Sequence, residues 1–103
     1  MSLSTHVLDT ARGEPAAGIP VRLHRLVSGQ WSPVADGLTD ADGRLRDWVP
    51  DSDWGEGRYR LVFETGGAFF PEVVVVFEVS EPGRPCHVPL LLSPYGYTTY
   101  RGT

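Results

Sequence analysis

The sequence predicts an all-β chain folded as a two-sheet antiparallel β-sandwich of about eight strands. Three observations carry this. Apolar and polar residues alternate with period two through most of the chain, as in strands with one buried face. No window holds the i, i+3, i+4, i+7 stripe of an amphipathic helix. Clusters of Gly, Pro and Asp interrupt the alternating runs at the short intervals of a sandwich. At 103 residues, one domain spanning 1–103 is expected.

Residues 3–9 form the first strand, closed by Arg12-Gly13-Glu14-Pro15 and Ala16-Ala17-Gly18, where Gly and Pro supply turn geometry. In the second strand Ile19, Val21, Leu23 and Val27 share one face and Arg22 and His24 the other. Trp31 to Ala35 reads as a third strand. Thr39-Asp40-Ala41-Asp42-Gly43 is a turn into a short fourth strand around Arg44 to Trp48. The turn faintly resembles a calcium loop but lacks the third acidic position and the distal glutamate, which favours a type I turn over a metal site. Residues 50–57, rich in Pro, Asp and Gly, form a loop. Tyr59, Leu61 and Phe63 then face one way, with Arg58, Arg60 and Glu64 facing the other. From Phe70 to Val79, Val73, Val75, Phe77 and Val79 mark the core face, and the outward Val74 and Val76 suggest a second buried face. Glu81-Pro82-Gly83-Arg84-Pro85 turns the chain into strands at 86–93 and 95–101, divided at Ser93-Pro94.

A formal net charge of -4 with dispersed cations argues against a nucleic-acid partner, which needs clustered positive charge. No apolar run approaches the roughly 20 residues of a spanning helix, so no membrane partner is expected. With nothing resembling a leader before Leu3, a cytoplasmic protein is expected. The lone Cys86 cannot form an internal disulfide and reads as a small apolar residue. Its neighbour His87 points to the opposite strand face, which defeats a Cys-His nucleophile. The histidines lack metal-ligand spacing, so no metal is expected, and there is no glycine-rich nucleotide loop.

His6 shares its strand face with Ser4 and Leu8, opposite Leu3 and Val7. His87 lies opposite Cys86, Val88, Leu90 and Leu92. Both therefore avoid the clearest aliphatic face. An isolated strand histidine is usually structural, but imidazole is also the side chain that can take a proton from water near neutral pH. Arg44, after its turn, can project into a cleft and support developing negative charge, or remain a solvated surface arginine. His24 belongs to no motif and is expected at the surface.

The chain's last residues sharpen this choice. Tyr100-Arg101-Gly102-Thr103 follows the run His87-Val88-Pro89-Leu90-Leu91-Leu92-Ser93. With Leu3-Ser4-Thr5-His6-Val7-Leu8-Asp9, Thr39-Asp40-Ala41-Asp42-Gly43-Arg44 and Phe69-Phe70-Pro71-Glu72, the sequence resembles the 5-hydroxyisourate hydrolases, the transthyretin-related enzymes of urate breakdown. The resemblance implies a transthyretin-like sandwich of two four-stranded sheets, assembled as a homotetramer, a dimer of dimers with active sites in the channel between them. It implies hydrolysis of 5-hydroxyisourate to 2-oxo-4-hydroxy-4-carboxy-5-ureidoimidazoline, with no cofactor. His6, Arg44, His87 and Thr103 are the implied catalytic residues, and His6, Arg44, Tyr100, Arg101 and Thr103 the implied substrate-binding ones.

The sequence also departs from the family. Thr103 replaces the usual terminal serine, keeping a hydroxyl but adding a β-methyl. Pro85-Cys86-His87 stands where members often have His-Tyr-His. The usual insertion carrying a short helix between the strand ending near Thr65 and the Phe-Phe-Pro-Glu segment is absent, so that helix is expected to be deleted. A non-enzymatic transthyretin-like carrier or binding module is the alternative, since one fold serves both tasks. A carrier has no need of His6, Arg44, His87 and a terminal Tyr-Arg-Gly together.

Overall fold

Alternation along the sequence becomes two facing sheets in the computed structural model, which describes residues 2–103. The strands are β1 (Leu3–Asp9), β2 (Glu14–Pro15), β3 (Pro20–Val27), β4 (Gln30–Leu38), β5 (Arg44–Leu45), β6 (Gly57–Phe63), β7 (Val73–Val79), β8 (Cys86–Ser93) and β9 (Gly96–Thr99). One sheet runs β2-β1-β8-β9, with the short β5 also paired to β1, and the other runs β4-β3-β6-β7. Every pairing is antiparallel except β1 with β8, which is parallel. Parallel neighbours need a long crossover, and here the whole second sheet lies between them in the chain.

The core is the set of inward positions that period two marks out. Leu3 and Val7, Val21 and Leu23, Tyr59, Leu61 and Phe63, and Val88 and Leu90 are buried between the sheets. Tyr59 carries a hydroxyl into this core and satisfies it locally: the hydroxyl donates to Gly55 O at 2.8 Å and accepts from Gly55 N at 3.0 Å. Its ring stacks on Phe77 at 5.9 Å and lies against Trp54 at 4.8 Å. Tyr59→Phe keeps the ring but strands both Gly55 groups. We expect a loss of about 1–3 kcal/mol, read as a lower urea midpoint at unchanged slope.

Several expected boundaries move. β4 is longer than Trp31 to Ala35, and a bulge between Leu23 and His24 absorbs its extra residue. β5 ends at Leu45 rather than Trp48, because Asp47 takes a positive φ of 55° that a strand cannot continue. Within 50–57 the chain makes one 3-10 turn, Asp51–Asp53, and no other helix is present among the described residues. The short β6–β7 connection is tied down without a helix, by Gly66 N to Pro71 O at 3.0 Å and Thr65 Oγ1 to Phe70 O at 2.5 Å. The outward Val74 and Val76 are 43% and 53% exposed, so their face is open in the single chain rather than buried. Among the described residues no helix is long and apolar enough to cross a membrane.

Candidate active site

The turn before β5 is built to hold Arg44 against β1. Asp40 Oδ1 accepts the N–H groups of Asp42 and Arg44, each at 2.9 Å, and Gly43 N bonds Asp40 O at 2.9 Å. The Arg44 amide is the main reason the Asp40 carboxyl sits below the usual carboxylate range. This carboxylate is therefore occupied in closing the turn. Gly43 has φ of +75°, and a β-carbon there would stand 2.4 Å from Val7 O, so only glycine lets the turn lie on the β1 backbone. Val7 N bonds Gly43 O at 2.8 Å in that contact.

The register then gathers the expected residues. His6 pairs with Arg44 across β1 and β5, while Ser4 pairs with His87 across β1 and β8. Directly paired residues share a face, and residues two apart on one strand do too. Ser4, His6, Arg44 and His87 thus stand together on the outer face of one sheet, away from the core. A cleft of about 230 Å³ is lined by Ser4, Thr5, Arg44, Arg46 and His87. His6 borders this group, its Nε2 donating to Asp42 O at 2.9 Å.

His87 is half-buried, and Ser4 Oγ lies 2.8 Å from its Nδ1. Burial chiefly, then the Arg44 guanidinium and His6, hold its pKa below the ordinary histidine value. A neutral ring at neutral pH follows, which is the form that can accept a proton. Arg44 supplies a cation next to that acceptor. The combination can polarise a carbonyl and deprotonate a water beside it.

The C-terminal segment closes the group from the side. Gly102 forms an isolated bridge with His87, its N–H bonding His87 O at 2.8 Å. A β-carbon on Gly102 would stand 2.5 Å from His87 Cδ2, so the imidazole rests directly on the glycine. Thr103 follows, exposed. Tyr100 and Arg101 are placed elsewhere in the single chain. They line a separate cleft with Phe77, Arg84, Cys86 and Val88 at the sandwich edge between β7 and β9.

Cys86 packs half-buried against the core, and burial pushes its thiol pKa up, opposed by Arg101. It shares no face with His87, as alternation requires. His24, expected at the surface, is half-buried and accepts Arg60 Nε at its Nδ1 at 2.9 Å. Arg60 also lies over the Trp31 ring at 4.8 Å. Burial, with Arg60 and Arg22 nearby, lowers the His24 pKa. Sequence reasoning missed Arg46 and the part played by Gly102. Arg46 was findable, since it lies two residues beyond Arg44 and repeats its parity. The Gly102 contact continues the β8–β9 hairpin register, with Leu90 opposite Thr99 and His87 opposite Gly102, just past the expected strand end at 101.

Comparison with known proteins shows which family this fold and sequence share. The family model described as HIUase/Transthyretin family matches residues 3–102. A 5-hydroxyisourate hydrolase of Caulobacter vibrioides is 47% identical over 113 aligned residues, covering 98% of this chain and 97% of the relative. The mouse 5-hydroxyisourate hydrolase is 43% identical, with 98% and 94% covered. Among solved structures, sea bream transthyretin in complex with thyroxine superposes with a TM-score of 0.94 at 29% identity, covering 100% of this chain and 96% of the other. A match over nearly every residue, on a sandwich whose one outer face gathers two histidines and an arginine, leads to one conclusion: this chain belongs to the HIUase/Transthyretin family.

Proposed function

We propose that this chain hydrolyses 5-hydroxyisourate to 2-oxo-4-hydroxy-4-carboxy-5-ureidoimidazoline in urate catabolism. The observation that carries the reading is the convergence of His6, Arg44 and His87 on one sheet face, where Arg44 and His87 line a cleft. A water held between the imidazoles loses a proton to a histidine as its oxygen adds to the ring carbonyl. Arg44 supports the charge that develops on the carbonyl oxygen. The C–N bond then breaks, the carbonyl carbon keeps the new oxygen as a carboxylate, and the departing nitrogen takes a proton.

Residues 1–103 are read as one hydrolase domain, in which Tyr100, Arg101 and Thr103 contribute to substrate binding. Since Tyr100 and Arg101 line a different cleft from His87 in the single chain, we assign their role within a homotetramer, a dimer of dimers. The outer edges of β7 and β9, which pair with no further strand among the described residues, support such pairing between copies. The free thiol of Cys86 is consistent with a reducing cytoplasmic setting.

The test is the ultraviolet decay of 5-hydroxyisourate generated in place by urate oxidase, with and without the protein. Decay above the spontaneous rate, abolished in the His6→Asn, Arg44→Gln, His87→Asn triple variant without change in sedimentation, is the expected result. Decay at the spontaneous rate with the wild-type protein overturns the reading. The close superposition on a thyroxine-bound transthyretin favours, in that event, a carrier. Saturable binding of an aromatic ligand without turnover would establish it.

A further inference from the structure

Three histidines occupy this chain, and hydrogen-bond chemistry by itself places the proton on two of them. A carbonyl oxygen only accepts, so His6 Nε2, 2.9 Å from Asp42 O, must carry a hydrogen. A guanidinium only donates, so His24 Nδ1, 2.9 Å from Arg60 Nε, must be bare, and the proton of its neutral ring sits on Nε2. For His87 the partner is the Ser4 hydroxyl, which can act either way.

The surroundings decide the direction. The Ser4 bond uses Nδ1, and Gly102 covers the Cδ2 edge, so Nε2 is the ring atom left for a water or substrate. The charged and titratable groups around the ring are Arg44 and Arg46, which share its cleft, and His6 on β1. Beside the Arg44 and Arg46 guanidiniums of this cleft, a ring with a bare Nε2 offers a lone pair where an Nε2–H would add further positive charge density.

We infer that Ser4 is a positioning residue that accepts the His87 Nδ1–H bond, fixing the tautomer in which Nε2 is the free proton acceptor. His6, with its Nε2–H committed to the Asp42 carbonyl, is the differently protonated partner. The two histidines are thus distinguished by what β1 and the Asp40–Arg44 turn offer them. On formation of the imidazolium the Ser4 bond stays in place, so the charged ring keeps an acceptor and its orientation. This assignment rests on the hydrolase reading for its catalytic meaning, but the tautomer itself does not.

The experiment is long-range ¹H–¹⁵N correlation on protein with ¹⁵N-labelled histidine, held above the titration of the rings, with peaks assigned by His6→Gln and His24→Gln. Two Nε2–H rings, His6 and His24, and one Nδ1–H ring, His87, are expected. An Nε2–H form of His87 overturns the proposal whether or not the protein turns over substrate, which separates its failure from that of the hydrolase reading. In kinetics, Ser4→Ala is expected to lower kcat about tenfold with KM little changed, the rate equivalent of one hydrogen bond. Ser4→Thr, which keeps the hydroxyl on a strand residue, should restore most of it. Equal kcat for Ser4→Ala and wild type, or a loss that Ser4→Thr shares in full, counts against the positioning role.

Discussion

His87→Asn is expected to lower kcat by about 10²–10⁴-fold, the usual contribution of a positioned acid-base group, while leaving the fold intact. The ring is half-buried on the outer sheet face and takes no part in the apolar core, so its loss removes chemistry rather than packing. The pH dependence gives the prediction a sign. Burial, Arg44 and His6 depress the His87 pKa, so the proton-accepting form persists below the ordinary histidine range, and kcat/KM falls only as pH drops through the depressed value. The same shift makes the folded ring bind protons more weakly than the unfolded one. Stability is therefore undiminished by this group above the unfolded pKa, declines as pH falls from there to the folded pKa, and declines no further below it. Urea midpoints at about pH 7.5 and about pH 5.5 bracket much of that window, and the drop between them should be smaller in His87→Asn than in wild type. His24, also depressed, contributes to the drop that remains. An unchanged rate in His87→Asn sinks the assignment of this ring to the reaction.

Gly102→Ala should be nearly as damaging to turnover, although alanine adds one carbon. That carbon would stand 2.5 Å from His87 Cδ2. Either the imidazole turns off its Ser4 partner or the chain end lifts off β8, and each moves a reacting group by about 1 Å, a displacement that can cost about 10²-fold in kcat/KM. Thermal stability should move little, because the bridge supplies only the Gly102 N to His87 O bond and no core contact. Gly83→Ala is the control, since a β-carbon there meets nothing within 4 Å. Full activity in Gly102→Ala would show that the terminal segment does not rest on His87 during catalysis.

These two expectations differ in how far the sequence anticipates them. The outward parity of His6 and His87 follows from strand alternation alone, because each lies opposite a run of aliphatic residues that must face a core. The turn at Asp40–Gly43 is legible for a similar reason, since Asp and Gly at those spacings close a turn with their own side chain and positive φ. Val74 and Val76 show the limit of the same logic. Alternation reports which side a residue takes, but whether that side is covered depends on what packs against it, and Val74 and Val76 stay 43% and 53% exposed.

By itself, then, the sequence determined the β class, the inward and outward sets, the turn that carries Arg44 and, through its motifs, the family. Those are local or pattern properties, set by the two-residue strand period and by turn chemistry. The tertiary structure alone decided that β1 and β8 run parallel with Ser4 beside His87 and that β5 sets Arg44 across from His6. Those are pairings between segments as far as 83 residues apart. Register across such distances is chosen by the burial of the whole sandwich, which no local stretch encodes.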